Sequence, residues 1–193
     1  MTEIPLDPIA IDVGDLLQRT VASLYSHLVT RPTGRAVRMA IETQLQGAGS
    51  RSLSLIDLSE VSVLDFSCAD EVVAKLLLHY QEGSPVEAFF VFRGVLAPHR
   101  DQIEAVLERR SLAVVVEGDP GRFELLGSRS AEEEAAWRIL EDRGFLARDE
   151  LADIMRHAEG AATFERLAAR RLAFRSPVTG RYHALSRLVR HLS

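Results

Sequence analysis

"SLSLIDLSEVSVLDFSCADEVVAKLL", residues 52–77, decides the fold class of this 193-residue chain. Its opening "SLSLIDL" is a short apolar run that reads as a strand. Val72, Val73, Leu76, Leu77 and Tyr80 then recur at helical spacing, so residues 68–82 read as a helix with one buried side. Downstream, "AFFVFR", "HRDQIEAVLERR" and "LAVVVE" repeat the strand–helix–strand alternation, with Ile103, Val106 and Leu107 as the helical stripe. Continuous apolar strands separated by amphipathic helices predict a parallel sheet covered by helices. Right-handed crossovers put the strand ends and the following helix starts along one edge of such a sheet. Ser67 belongs to that edge.

Upstream, Leu17, Val21, Leu24 and Leu28 predict a helix over "GDLLQRTVASLYSHLV", ended by "RPTG" because proline and glycine both oppose continuation. A second helix, "RAVRMAIETQLQ", carries Val37, Ile41 and Leu45 on one side, and "GAGS" reads as a turn. Towards the other end, "EGDPGRFELLGSRS" is rich in turn formers and marks a boundary near residue 128. Beyond it, "AEEEAAWRILEDRG", "ARDELADIMRHA" and "AATFERLAARR" read as three helices, and two short strands flank the turn "SPVTG". Three helices followed by a β-hairpin is the element order of a winged helix. The expectation is an α/β domain over 1–128 and a winged-helix-like domain over 129–193.

The composition, 47% hydrophobic and 26% charged, is that of a globular chain rather than a disordered one. No apolar run approaches the roughly 20 residues of a spanning helix, and the start lacks the basic and apolar regions of a signal peptide. A cytoplasmic protein without membrane contact is expected. One cysteine gives neither an internal disulfide nor a thiolate-rich zinc site. The six histidines are scattered without ligand spacing, and no glycine loop has phosphate-cradling spacing, so no metal or cofactor is expected. Charge is uneven. From Gly160 to Ser193 seven arginines face Glu165 alone, a balance of +6 on a chain of −5, which leaves −11 on residues 1–159. A basic end on an acidic body points to a polyanion or an acidic partner.

The stretch "LSLIDLSEVSVLDFSCADEVVAKLL" resembles the STAS domains, named for sulfate transporters and anti-sigma-factor antagonists, and the bacterial STAS-like variants. The resemblance covers roughly residues 50–127 and implies a helix-covered sheet that meets a protein partner, a serine kinase or anti-sigma-like factor. In the antagonists the matching loop reads Asp-Ser-Ser-Gly, and a kinase that binds the domain phosphorylates the second serine. Here Asp65 matches the aspartate, Phe66 the first serine, Ser67 the phosphorylated serine and Cys68 the glycine. Two of the four match in type. STAS domains usually begin with strands, whereas this chain reads as beginning with two helices. The resemblance implies a switch at Ser67, Asp65 and Phe66, with Asp57, Asp70 and Glu71 on the adjoining partner surface.

Ser67 has a plainer reading as well. In "SCAD" its side chain can accept from the N–H of Asp70 while Asp70 reaches back, a helix-start pattern worth roughly 1 kcal/mol. A cap and a regulated serine are compatible. A helix start can hold a phosphate, although Asp65, Asp70 and Glu71 would repel it. Cys68 reads as a small packed residue rather than a redox thiol. His79 lies about three turns away, roughly 16 Å along the helix, and cannot act as a base for Ser67 or Cys68. The expectation is no enzyme.

In the winged-helix order the third helix enters the major groove and the wing touches the backbone. Arg166, Arg170 and Arg171 on the helix, with Arg175, Arg181 and His183 on the hairpin, would then contact double-stranded DNA. The leading expectation is a bacterial regulator that receives a signal through its STAS-like part and binds DNA through its basic end. The alternative is a partner-switching interaction module whose winged helix mediates docking or homodimerisation.

Overall fold

The computed structural model describes residues 7–16, 27–82, 84, 86–119, 121–147, 149–154 and 159–190. Among these, strand β1 (Asp7–Asp12) opens the chain, residues 13–16 are helical, and β2 (His27–Leu28) leads into α1 (Arg31–Gln46). Then come β3 (Arg51–Asp57) and β4 (Val63–Leu64). Helix α2 runs without interruption through Phe66–Ala69, a wider π-helical stretch Asp70–Lys75, and Leu76–Glu82. Next are β5 (Glu87–Arg93), α3 (Ala97–Arg109), β6 (Ala113–Glu117) and β7 (Phe123–Gly127). The remainder is α4 (Ala131–Arg143), β8 (Phe145–Leu146), α5 (Glu150–Ile154), α6 (Glu159–Ala169), β9 (Ala173–Arg175), β10 (Tyr182–Ala184) and α7 (Leu185–Val189).

The central sheet has the order β1-β3-β5-β6-β7, parallel except for the antiparallel β6–β7 pair. The parallel strands advance in one direction across the sheet. With right-handed crossovers, every connecting helix therefore falls on the same face. Helices α1, α2 and α3 share that face's core, packing Val37, Ile41, Val72, Val73, Leu76, Ile103 and Val106 with the strand residues Ile56, Phe90, Phe92 and Val114. Because side chains alternate along a strand, Leu53, Leu55, Phe89, Val91 and Val115 point the other way. They pack with Trp137, Leu140, Phe164, Phe174, Tyr182 and Leu185 from the part of the chain after β7. A three-stranded antiparallel sheet, β8-β10-β9, completes that part. Residue 128 marks a change in the course of the chain, while the apolar packing continues across it.

Several local expectations need correction. Leu28 ends no helix; it lies in β2, parallel to β4, and residues 17–26 of the expected helix fall outside the described set. "RPTG" opens α1 instead of ending a helix. Thr30 is extended and its side chain accepts from the Thr33 N–H, so Pro32 sits in the first turn, where no intrahelical N–H is lost. Gly34 is buried between helices, where a Cβ would come within 2.9 Å of the Cys68 Cα. The first described element is a strand, β1, where two helices were expected to begin the chain. "FELLG" is the antiparallel strand β7, although the preceding Asp119 and Gly121 and its own Gly127 read as turn. Helix α4 begins with a capping box between Ser130 and Glu133. The helix predicted over "ARDELADIMRHA" is described as α5 only, because residues 155–158 lie outside the described set.

The close approach at Gly34 gives a direct test. Gly34→Ala should cost about 1–3 kcal/mol by urea denaturation, because Cys68 opposes the new methyl with backbone and cannot rotate away. A stability gain from the better helix former would contradict the packing of α1 on α2.

Candidate functional site

At the carboxyl edge of the parallel strands, β3 ends in Asp57. Its carboxylate accepts from the Ser59 N–H (2.9 Å), the Ser59 hydroxyl and Arg93 Nε (2.7 Å), with Arg93 at the matching end of β5. Desolvation pushes the Asp57 pKa up, and the bonds from Ser59 and Arg93 outweigh it, leaving the group below its ordinary value. Asp57 is thus fixed to its own loop and to the neighbouring strand. The chain then passes through β4, whose partner β2 carries the Leu28 carbonyl that accepts from the Asp65 N–H at 2.9 Å. His99, buried at the start of α3, has Nε2 3.4 Å from the Ser62 carbonyl oxygen.

Asp65, not Ser67, is the cap of α2. Its backbone is extended (φ −87°, ψ 167°) and its carboxylate accepts from the Cys68 N–H at 2.8 Å. Ser67, two residues further on, is already inside the first turn and donates its hydroxyl to Asp65 at 2.9 Å. Asp70 does not reach back to Ser67 because Arg110 and Arg31 hold it. The Cys68 thiol is buried and donates to the Thr30 carbonyl at 2.9 Å, which joins the starts of α1 and α2. Burial, followed by the charge of Asp65, pushes its pKa up to about 12, so it is not a thiolate at neutral pH.

The expected partner surface also changes. Asp70 and Glu71 are 6% and 2% exposed, within the π-helical stretch of α2. Arg31 Nη1 lies 3.0 Å from both carboxylates, Arg110 Nε 2.7 Å from Asp70 and Arg38 Nε 3.3 Å from Glu71, while Lys75 bonds Glu71. Buried carboxylates need such partners, so the pair faces inward to a ring of cations and leaves the surface. Desolvation raises both pKa values, but the bonds from Arg110 and Arg31 to Asp70, and from Lys75 and Arg31 to Glu71, bring the net result below ordinary values. The exposed residues of the loops on this edge include Thr30, Arg31, Glu60 and Ser62, and among them stand large apolar side chains. Val29, Val63 and Leu96 are 40–48% exposed, and Phe66 is half-buried beside them on the same loop system. Sequence reasoning singled out Phe66 but passed over Val29, Val63 and Leu96, because each sits at an element end, where periodicity assigns no face.

The basic residues of the C-terminal part divide into two groups. Arg170 donates to Glu133 (2.6 Å), to the Ser128 carbonyl (2.6 Å) and to the Ser111 carbonyl (3.3 Å). Arg171 donates to Glu87 (2.7 Å) and lies over the Phe89 ring. Both were expected on a DNA-facing surface; both instead join α6 to residues of the sheet and of α4. His183 is packed between Phe145 and Phe174, and burial lowers its pKa, so it is neutral rather than a phosphate contact at physiological pH. Arg166, Arg175 and Arg181 remain exposed, with Arg166 bonded to Thr163, Arg175 3.4 Å from Glu165, and Arg181 over the Phe145 ring.

No family model, curated protein or solved structure matches this chain. Among the described residues, no cluster of histidine, cysteine or carboxylates could hold a metal ion, and no helix is long and apolar enough to cross a membrane.

Two measurements test the site's construction. Asp65→Ala should cost about 1 kcal/mol through loss of the cap, while Ser67→Ala should stay within about 0.5 kcal/mol. Equal losses from both would contradict the assignment of Asp65. The pH dependence follows from the depressed carboxylates. Asp70 and Glu71 have folded pKa values below their unfolded ones, so they contribute stability above the unfolded values of about 4 that is lost as pH falls through the folded values. The denaturation midpoint should hold from pH 7 to about 5 and then drop, and the drop should shrink in Asp70→Asn; an identical drop in that variant would contradict the assignment.

Proposed function

We propose that this chain is a regulatory protein-interaction module, STAS-like in its α/β part, whose partner reads the carboxyl edge of the sheet around Ser67. The observation that carries the reading is the set of exposed apolar side chains Val29, Val63 and Leu96, with half-buried Phe66, at the element ends of the edge whose helix start carries the Ser67 hydroxyl. Exposed apolar side chains grouped on one surface are characteristic of protein contact. The partner implied by the STAS resemblance is a serine kinase of the anti-sigma-factor type, which would bind this edge and transfer the γ-phosphoryl group of its ATP to Ser67.

The electrostatics favour a switch more than the sequence does. Asp70 and Glu71 are neutralised by Arg31, Arg38, Lys75 and Arg110, so the charge opposing a phosphate is chiefly that of Asp65. A phosphate on Ser67 would replace a donated hydrogen bond to Asp65 with repulsion between two anions. That would disturb the cap and change the surface presented to the partner.

The C-terminal helices and hairpin act, on this reading, as the second cover of the sheet and as a docking or dimerisation surface of winged-helix type. Arg170 and Arg171 support this role because their hydrogen bonds run to the protein itself. A second reading, duplex DNA binding, is favoured by the exposure of Arg166, Arg175 and Arg181.

Pull-down from the source cell with intact-mass analysis tests the first reading. The wild-type chain should capture a kinase and gain one phosphoryl group, Ser67→Ala should capture without gaining it, and Val63→Glu with Leu96→Glu should capture nothing. Equal capture by the Val63/Leu96 variant would overturn the reading. Salt-sensitive binding to mixed duplex DNA that disappears in Arg175→Ala with Arg181→Ala would establish the second reading.

A further inference from the structure

A cavity of about 450 Å³ lies where the amino ends of β3 and β5 meet α6 and the β9–β10 hairpin. Arg51 and Glu87 line it from the sheet, Arg171 from the end of α6, and Arg175 from the hairpin. It therefore spans the seam between the two parts of the chain, well away from the opposite, carboxyl edge that carries Ser67. Its size falls within the range of small-molecule sites, roughly 300–1,000 Å³.

Three features distinguish it from a solvated crevice. The first is charge. Glu87 accepts from both Arg51 Nε and Arg171 Nη1 at 2.7 Å, so one carboxylate serves two guanidinium groups. The third arginine, Arg175, is held by Glu165 only at 3.4 Å. The lining thus carries three arginines and two glutamates, an excess of one positive charge in a partly enclosed space.

The second is incomplete bonding. The Nε of Arg171 is buried without a hydrogen-bond partner, and among the described residues Arg51 meets Glu87 through Nε alone. Guanidinium groups present planar pairs of donors suited to a carboxylate. The third is backbone conformation. Arg171 has φ +60° just past the end of α6, the position where helices ordinarily place glycine. An arginine keeps that conformation here, and its guanidinium lies 5.5 Å over the Phe89 ring, facing Glu87. Phe89, Ala168, Ala169 and Pro177 supply an apolar part of the remaining wall, beside Ser176 and Gly180.

We propose that this cavity is a binding site for a small organic acid, a single carboxylate on an apolar body. The carboxylate balances the excess charge and accepts from Arg51 and Arg175, while the body lies against Ala168, Ala169 and Pro177. Because the site draws on β3 and β5 on one side and α6 and the hairpin on the other, bound ligand tightens the seam. This proposal does not rest on the reading of the Ser67 edge.

Calorimetric titration of the full chain with benzoate and with hexanoate tests it, with benzamide as the neutral isostere of benzoate. At least one acid should bind saturably in the millimolar range and raise the melting temperature, as a ligand specific for the folded state must. Benzamide should not bind. The Arg175 side chain is 40% exposed, and Arg175→Ala should weaken the acid about tenfold, the loss of one charge-assisted hydrogen bond, with the circular dichroism of the free protein unchanged. Ala168→Met, which fills the cavity without altering charge, should weaken it as well. Failure of both acids to bind saturably overturns the proposal, and so does equal binding of benzamide or unchanged affinity in both variants.

Discussion

The structure depends on one constraint, the direction in which its parallel strands advance. Strands β1, β3, β5 and β6 follow one another across the sheet without reversal, so all the right-handed crossovers lie on one side. The strands themselves are apolar on both sides: Phe90 and Phe92 face α1, α2 and α3, while Leu53, Leu55, Phe89 and Val91 face away from them. Those residues need a second cover, each large side chain being worth roughly 1.5–3 kcal/mol when buried. The chain after β7 supplies it. This dependence explains why Arg171 meets Glu87 and Arg170 reaches the Ser111 carbonyl; arginines read from the sequence as belonging to a separate basic module hold that module to the sheet.

The same constraint separates the two candidate sites. One-sided crossovers gather the loops and helix starts of the first face at the carboxyl edge, where Asp65 caps α2, Cys68 reaches Thr30, and Val29, Val63 and Leu96 are left in solvent. The opposite edge meets the hairpin and forms the arginine-lined cavity. One end of the sheet is thus suited to a protein surface and the other to a small anion. Between them, the buried Asp70 and Glu71 hold α1, α2 and α3 together through Arg31, Arg38 and Arg110.

Much of the architecture was legible in the sequence. Strands such as "AFFVFR" are apolar at five consecutive residues, which identifies a sheet buried on both faces, although the pattern does not say what covers the second face. Elements with short or mixed patterns were missed. β1 mixes Asp7, Pro8 and Asp12 with its apolar residues, and β7 lies among turn formers. "RPTG" was read as a stop because proline and glycine punctuate chains in either direction; only the extended backbone of Thr30 distinguishes a helix start. At the site, the sequence was read with Ser67 as the cap of a helix; Asp65 and Ser67, two residues apart, both fit a cap by type, and geometry selects Asp65. The inward turn of Asp70 and Glu71 follows chiefly from arginines 33 to 40 residues away in the chain, which no local pattern reveals.

The C-terminal helices and hairpin are part of one cooperative structure with the sheet. Equilibrium urea unfolding followed at once by far-ultraviolet circular dichroism and by fluorescence tests it, since the chain's single tryptophan, Trp137, is buried against that second face. The account predicts coincident transitions with one midpoint. A fluorescence transition completed before the bulk of the secondary structure is lost would mean that the C-terminal part comes away alone, and would contradict it.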